Sequence, residues 1–210
     1  MVANAEFWNR MARKYATRSI SDQAGYERTI ALARGLIGRD DRVVELGCGT
    51  GSTALLLAGG TRSYLATDFA AGMIAIAEQR QAAAPVAQLS FRVATAKEIE
   101  GQGARFDAVL GFNYLHLLED LPGTLAAIRA LLTPGGLFIS KTACLADMNP
   151  LIRLAIPLMQ LIGKAPHVTI LSATALQDAI REAGFEISAC EYHGTTSKDA
   201  RPVIVARRRD

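Results

Sequence analysis

Ten residues limit the fold more than any others: Val43-Val44-Glu45-Leu46-Gly47-Cys48-Gly49-Thr50-Gly51-Ser52. Two β-branched residues and a leucine read as the end of a buried strand. Three glycines within five positions read as a turn where the backbone comes close to something. The chain then enters the helix-forming run Thr53-Ala54-Leu55-Leu56-Leu57-Ala58. Strand, glycine turn and helix together aim unpaired backbone N–H groups at a polar ligand of nucleotide type.

The remaining chain repeats the strand-then-helix theme. Upstream, Phe7, Met11 and Tyr15 recur at four-residue spacing with Trp8 and Ala12 beside them, so residues 4–15 form an amphipathic helix. A second helix over 22–36 turns Tyr26, Ile30, Ala33 and Ile37 inward. These helices, residues 1–38, read as a cover over one face of a sheet, with Tyr15 as a substrate candidate because its hydroxyl offers a polar handle on an apolar ring. Downstream, strands fall at 62–67, 89–94, 106–111 and 137–142, with helices over 70–84, from Thr95 and over 121–132. Thr133-Pro134-Gly135-Gly136 is a turn signal. Strands joined by helical crossovers lie parallel. The last two, 185–192 and 202–206, are joined by too few residues for a crossover and pair antiparallel. A helix opened by Ser172 and ended by Gly184 precedes them.

One acidic residue stands out by position. Asp68 closes the second strand 21 places after Gly47, where a carboxylate can accept both hydroxyls of a ribose. The alternative is a cap for the helix that begins just beyond it.

Composition narrows the function. At 210 residues the chain fits one domain, and a formal charge of +3 with three clustered arginines, Arg207-Arg208-Arg209, reads as a solvated tail with no call for nucleic acid. Cys48, Cys144 and Cys190 are far apart and odd in number, which fits reduced thiols in a cytoplasm better than a disulfide framework or a metal site. The apolar run 151–162 is too short to span a bilayer.

These motifs resemble those of the class I S-adenosylmethionine-dependent methyltransferases, of the small-molecule type similar to the quinone-biosynthesis enzymes. The resemblance covers 42–206 and rests first on the E-x-G-x-G-x-G run at Glu45–Gly51, second on Asp68-Phe69-Ala70-Ala71-Gly72-Met73. It implies an α/β fold: a Rossmann-like doubly wound sheet of seven strands, mostly parallel with an antiparallel terminal strand, helices on both faces. It implies S-adenosyl-L-methionine as cofactor, bound by Glu45, Gly47, Cys48, Gly49, Asp68, Phe69, Met73, Thr95, Ala96 and Asn113. Asp68 takes the ribose, Phe69 packs on the adenine, and Glu45 attracts the ammonium. Thr95 stands where the family has an acidic residue, and Ala70 where it has a small hydroxyl.

Methyl transfer depends mainly on alignment, worth up to roughly 7–11 kcal/mol in well-oriented cases, so a base is optional. Where the acceptor is weakly acidic, His116 is the catalytic candidate, against a plain helix-start role. His167 and His193 lie in the variable part. Residues 145–171 read as an inserted lid, whose apolar character suits a small hydrophobic or aromatic acceptor touched by Met159. The same residues suit core packing or contact with a second copy, a homodimer. Two other classes share parts of the pattern: a non-catalytic S-adenosylmethionine-binding regulator, and an NAD(P)-dependent oxidoreductase. Against the second, Ser52 stands where G-x-G-x-x-G needs its third glycine.

Overall fold

The computed structural model describes residues 2–196 and 199–210. Met1, which belongs to the expected 1–38 cover, lies outside the described residues. Seven strands form one sheet: β1 (Arg42–Leu46), β2 (Ser63–Asp68), β3 (Leu89–Val93), β4 (Phe106–Phe112), β5 (Leu132–Lys141), β6 (Phe185–Tyr192) and β7 (Pro202–Arg208), in the order β3-β2-β1-β4-β5-β7-β6. The first five pair in parallel, and β7 runs antiparallel between β5 and β6. Chain order reverses between β1 and β4, so a crevice opens beyond the carboxyl ends of those strands.

Eight α-helices accompany the sheet among the described residues: α1 (Val2–Ala16), α2 (Gln23–Leu36), α3 (Ser52–Leu57), α4 (Ala71–Ala83), α5 (Ala96–Glu100), α6 (Leu121–Leu131), α7 (Pro150–Leu161) and α8 (Ala173–Glu182). Buried strands that alternate their side chains supply two cores. Val44, Leu46, Val109 and Phe138 pack with Ile128 of α6 and Ile180 of α8 on one face. Val43, Leu110 and Ile139 pack with Ile30 of α2, Leu57 of α3 and Ile74 of α4 on the other. Strands that are largely apolar and covered on both faces are typical of a parallel sheet. A third, smaller cluster joins Ala12 of α1 to Ala70 and Met73, with Trp8 against it.

Two segments differ from the sequence expectation. The Thr133–Gly136 turn lies inside β5, because pairing with β4 shifts from Phe106↔Leu132 to Ala108↔Leu137; the extra residues bulge out, with Gly135 at φ +70. Arg207 and Arg208 are no solvated tail. They continue β7, with Leu137↔Arg207 and Phe185↔Arg208 in register, and the Arg208 guanidinium donates to the Leu132 carbonyl. Carbonyls at the end of α6 have no helical partner, and a cation is favourable there.

Candidate functional site

The glycine turn is set by backbone conformation. Gly47, Gly49 and Gly51 have φ of +67, +55 and +76, the left-handed region that side chains disfavour. Two of them are also crowded. A Cβ on Gly51 would lie 2.6 Å from Phe91 Cζ, and one on Gly47 2.5 Å from Tyr114 Cδ2. The Tyr114 ring therefore lies against the turn, and a Cβ on Gly111 would meet it from the other side at 3.3 Å.

Asp68 holds the turn to the neighbouring strand. Its Oδ2 accepts from Gly49 N–H at 3.0 Å and its Oδ1 from Ala70 N–H at 2.9 Å. An ionised carboxylate has about four lone-pair directions, so two backbone bonds leave it capacity for further donors. Burial raises its pKa, and the two backbone bonds oppose that shift. Asp68 thus bonds the residue that precedes α4, without capping that helix, and also lines the cavity.

That cavity, about 880 Å³, opens at the carboxyl ends of β1, β2 and β4 beneath α1. Of the sequence-predicted residues, Gly47 and Gly49 line it from the turn, and Asp68, Phe69 and Met73 from the β2–α4 junction. Thr95 and Ala96 line it from the start of α5, Asn113 and His116 from the end of β4, and Tyr15 from α1. Three are not in its wall. Glu45 is 2% exposed and turned into the sheet, where it accepts from Tyr64 Oη at 2.8 Å. Cys48 belongs to the α2–α3 core. Met159 lies on α7, which projects Leu151, Leu158 and Leu161 into solvent.

Sequence reading did not single out Trp8, Tyr114, Pro166 or Val168, which also line the cavity. Trp8 sits edge-on to Tyr15 with ring centroids 6.0 Å apart. The Tyr15 ring lies over the turn: a Cβ on Gly49 would meet Tyr15 Cε1 at 3.6 Å. Pro166 and Val168 belong to a strap tied down at Thr169, whose N–H donates to His116 O and whose hydroxyl donates to Leu118 O, each at 2.7 Å. His167 N–H donates to Asn4 Oδ1 at 2.9 Å, joining the strap to α1. His193 is elsewhere, hydrogen-bonded between Thr29 and Glu191.

Protonation follows from burial. Glu45 is pushed up to about 8, chiefly by burial and partly by Asp68, with the Tyr64 hydrogen bond opposing. His116 is lowered to about 4 by burial, and its Nδ1 is buried without a hydrogen-bond partner. Its imidazole is therefore neutral at pH 7. Thr95 is engaged in a reciprocal cap: its hydroxyl donates to Glu98 Oε2 at 2.8 Å and accepts from Glu98 N–H at 3.3 Å. Asn113 has φ +53 and donates its N–H to Lys141 O at 2.7 Å; asparagine tolerates this conformation better than most residues.

A positive-φ glycine turn, an acidic residue ending the second strand and a crevice at the sheet's reversal point define a Rossmann-like site for a nucleoside-bearing ligand. The chain belongs to the methyltransferase-domain family, the class I S-adenosylmethionine-dependent methyltransferases: the model of that domain matches residues 8–189. Among curated relatives, the ubiquinone biosynthesis O-methyltransferase of Methylocella silvestris is 34% identical over 101 residues, covering 48% of this chain and 39% of that protein. The enzyme of the same description from Cereibacter sphaeroides is 30% identical over 152 residues, 69% of this chain and 60% of that one. The chain thus spans less than two thirds of these relatives' length. Among solved structures, magnesium protoporphyrin IX methyltransferase from Synechocystis, with SAH bound, superposes with a TM-score of 0.70 at 18% identity over 98% of this chain and 95% of that one. This likeness concerns the fold. Family membership decides against the oxidoreductase alternative. Among the described residues no helix is long and apolar enough to cross a membrane, and no group of three or more His, Cys, Asp or Glu is arranged to hold a metal ion.

Proposed function

We propose that this chain transfers a methyl group from S-adenosylmethionine to a small acceptor with an apolar or aromatic body. The observation that carries the reading is the mixed lining of one cavity: Asp68, Gly47 and Gly49 share it with the apolar and aromatic side chains of Trp8, Leu117, Pro166 and Val168.

The donor set fits the cofactor. Asp68 has acceptor capacity for a vicinal diol, Phe69 and Met73 offer apolar contact for a purine, and the first N–H groups of α5 have no partner within their own helix. When bound, S-adenosylmethionine supplies an electrophilic methyl carbon on a sulfonium. The chain's contribution is alignment and exclusion of water, with α1 above and the 166–169 strap at the side. In the inserted 145–171 segment, the acceptor-facing part is this strap, and α7 with Met159 stands outside it.

His116 takes the role its environment permits. A neutral imidazole accepts a hydrogen bond from the acceptor's O–H or N–H. With a pKa near 4 it is too weak a base to ionise the acceptor beforehand, so the proton moves to it only as the new bond forms. Glu45, outside the wall and holding its proton to about pH 8, presents no carboxylate charge to an ammonium at pH 7.

Calorimetric titration with S-adenosylmethionine, with NADH as control, tests the first half: saturable binding of the former alone is expected, and no binding of it defeats the reading. A panel of phenols, quinols and amines tests the second. Product formation separates a catalyst from a non-catalytic cofactor binder, and a preference for polar acceptors would overturn the apolar-acceptor assignment.

A further inference from the structure

Arg80, on the last turn of α4, is outside the cavity wall yet contacts both of the parts that enclose it. Its Nη1 donates to Thr50 O at 3.0 Å, Thr50 Oγ1 at 2.8 Å and Ser52 Oγ at 2.9 Å, all on the glycine turn or the start of α3. Its Nη2 donates to Ala16 O at 2.8 Å, the carbonyl that ends α1. A guanidinium is planar with donors in a fixed fork, so the two nitrogens hold the turn and the helix end in one geometry. The Ala16 carbonyl has no helical partner, and a cation is favourable there. A cation beside the first residues of α3 gains nothing from that helix's dipole, so the hydroxyl and carbonyl acceptors account for its position.

The residue next to Ala16 is Tyr15, whose ring lies over Gly49. The other attachments of α1 lie further back: Asn9 Oδ1 accepts from Gly72 N–H at 2.8 Å, and Ala12 packs with Ala70 and Met73. Beyond Ala16 the chain runs exposed through residues 17–21 to α2. Arg80 is thus the side chain that ties the Tyr15 end of the roof to the turn.

We infer that Arg80 is a positioning residue: by bridging Thr50, Ser52 and the end of α1 it seats Tyr15 on the glycine turn, so that the turn and the roof act as one unit in holding S-adenosylmethionine. This rests on the function proposed above. Lysine cannot replace it, because a single ammonium cannot span both sides with a fixed fork.

Trp8 is the sole tryptophan of the chain, and from two turns back in α1 its ring meets Tyr15 edge-on, so its emission reports on the seating of the Tyr15 ring without any ligand. The test compares wild type, Arg80→Met and Arg80→Lys, each first shown to unfold in one cooperative thermal transition. In the ligand-free proteins, both variants are expected to shift Trp8 emission to longer wavelength and to raise its quenching by acrylamide. Unchanged emission and quenching in a folded Arg80→Met protein would overturn the inference. With S-adenosylmethionine, Arg80→Met is expected to raise Kd about tenfold in the wild-type background and less than about twofold in a Tyr15→Ala background, the non-additivity of residues acting through one another. Equal factors in both backgrounds would show that Arg80 does not act through Tyr15. Should the wild type bind no S-adenosylmethionine, the proposed function fails, while the ligand-free fluorescence still decides the tie.

Discussion

Two side chains make stability depend on pH with opposite signs. Glu45 holds its proton to about pH 8 when folded, against 4.5 for the ordinary group. Between those values the folded state binds more protons than the unfolded one, so stability falls as pH rises through that window. Glu45→Gln keeps an acceptor for Tyr64 and removes the charge. It is expected to raise the thermal midpoint at pH 8 relative to wild type and to change it little at pH 4.5, as differential scanning calorimetry would show. His116 works the other way. Its folded pKa near 4 lies below the ordinary 6.5, so the unfolded state binds more protons and stability is lost as pH falls from 6.5 through 4. His116→Leu should flatten the fall in urea midpoint between pH 6.5 and pH 4.5; an unaltered slope would show that another group carries it. At Asp68 the carboxylate serves backbone and cavity together. Asp68→Ala leaves the N–H groups of Gly49 and Ala70 without an acceptor, so a stability loss of about 1–3 kcal/mol is expected besides weaker cofactor binding. Asp68→Asn keeps one good acceptor. It should recover much of that stability while cofactor affinity stays low, measured by denaturant unfolding and calorimetric titration.

At the scale of elements, the glycine turn and the strap both form part of the cavity wall. Gly51→Ala combines a disfavoured φ with a contact against Phe91 at 2.6 Å, and a cost of about 1–3 kcal/mol in unfolding free energy is expected. Thr169→Val removes the hydroxyl bond to Leu118 O and keeps the N–H bond to His116 O. It is expected to raise the KM of the methyl acceptor several-fold with an unchanged Kd for S-adenosylmethionine; a matching change in both would place the strap's influence at the cofactor end. The elements themselves were largely legible in the sequence, since a parallel strand and its following helix announce themselves through local periodicity and glycine positions. The segment Thr133–Gly136 reads as a turn by its own chemistry, and only pairing with β4 and β7 makes it a bulge within β5. Arg207 and Arg208 look like a tail because charge gives no sign of the neighbouring strand. The turn and Asp68 were found because both ends of that contact lie in one βαβ unit. Trp8, Tyr114 and Pro166 were not, because they meet from three distant parts of the chain. Met159 shows the complementary error: an apolar stretch has a periodicity, but nothing local says what its face meets.

For the molecule as a whole, a ligand that binds only the folded state adds stability by mass action, about 2.7 kcal/mol at a hundredfold excess over Kd. The thermal midpoint should therefore climb with S-adenosylmethionine concentration in the wild type and climb less in Asp68→Asn. A midpoint independent of concentration would mean that the native state does not bind it. The sheet order carries a separate consequence. β7 is the last strand in sequence, yet it lies between β5 and β6 and is the partner of both. β5 and β6 do not pair with each other, so without residues 202–208 the parallel sheet ends at β5 and β6 has no partner strand. A released chain lacking residues 202–208 would hold a five-stranded parallel sheet beside an unattached strand, exposed to the edge-to-edge pairing that leads to aggregation. β7 is paired with both β5 and β6, so its seven residues carry the attachment of β6 to the rest of the sheet.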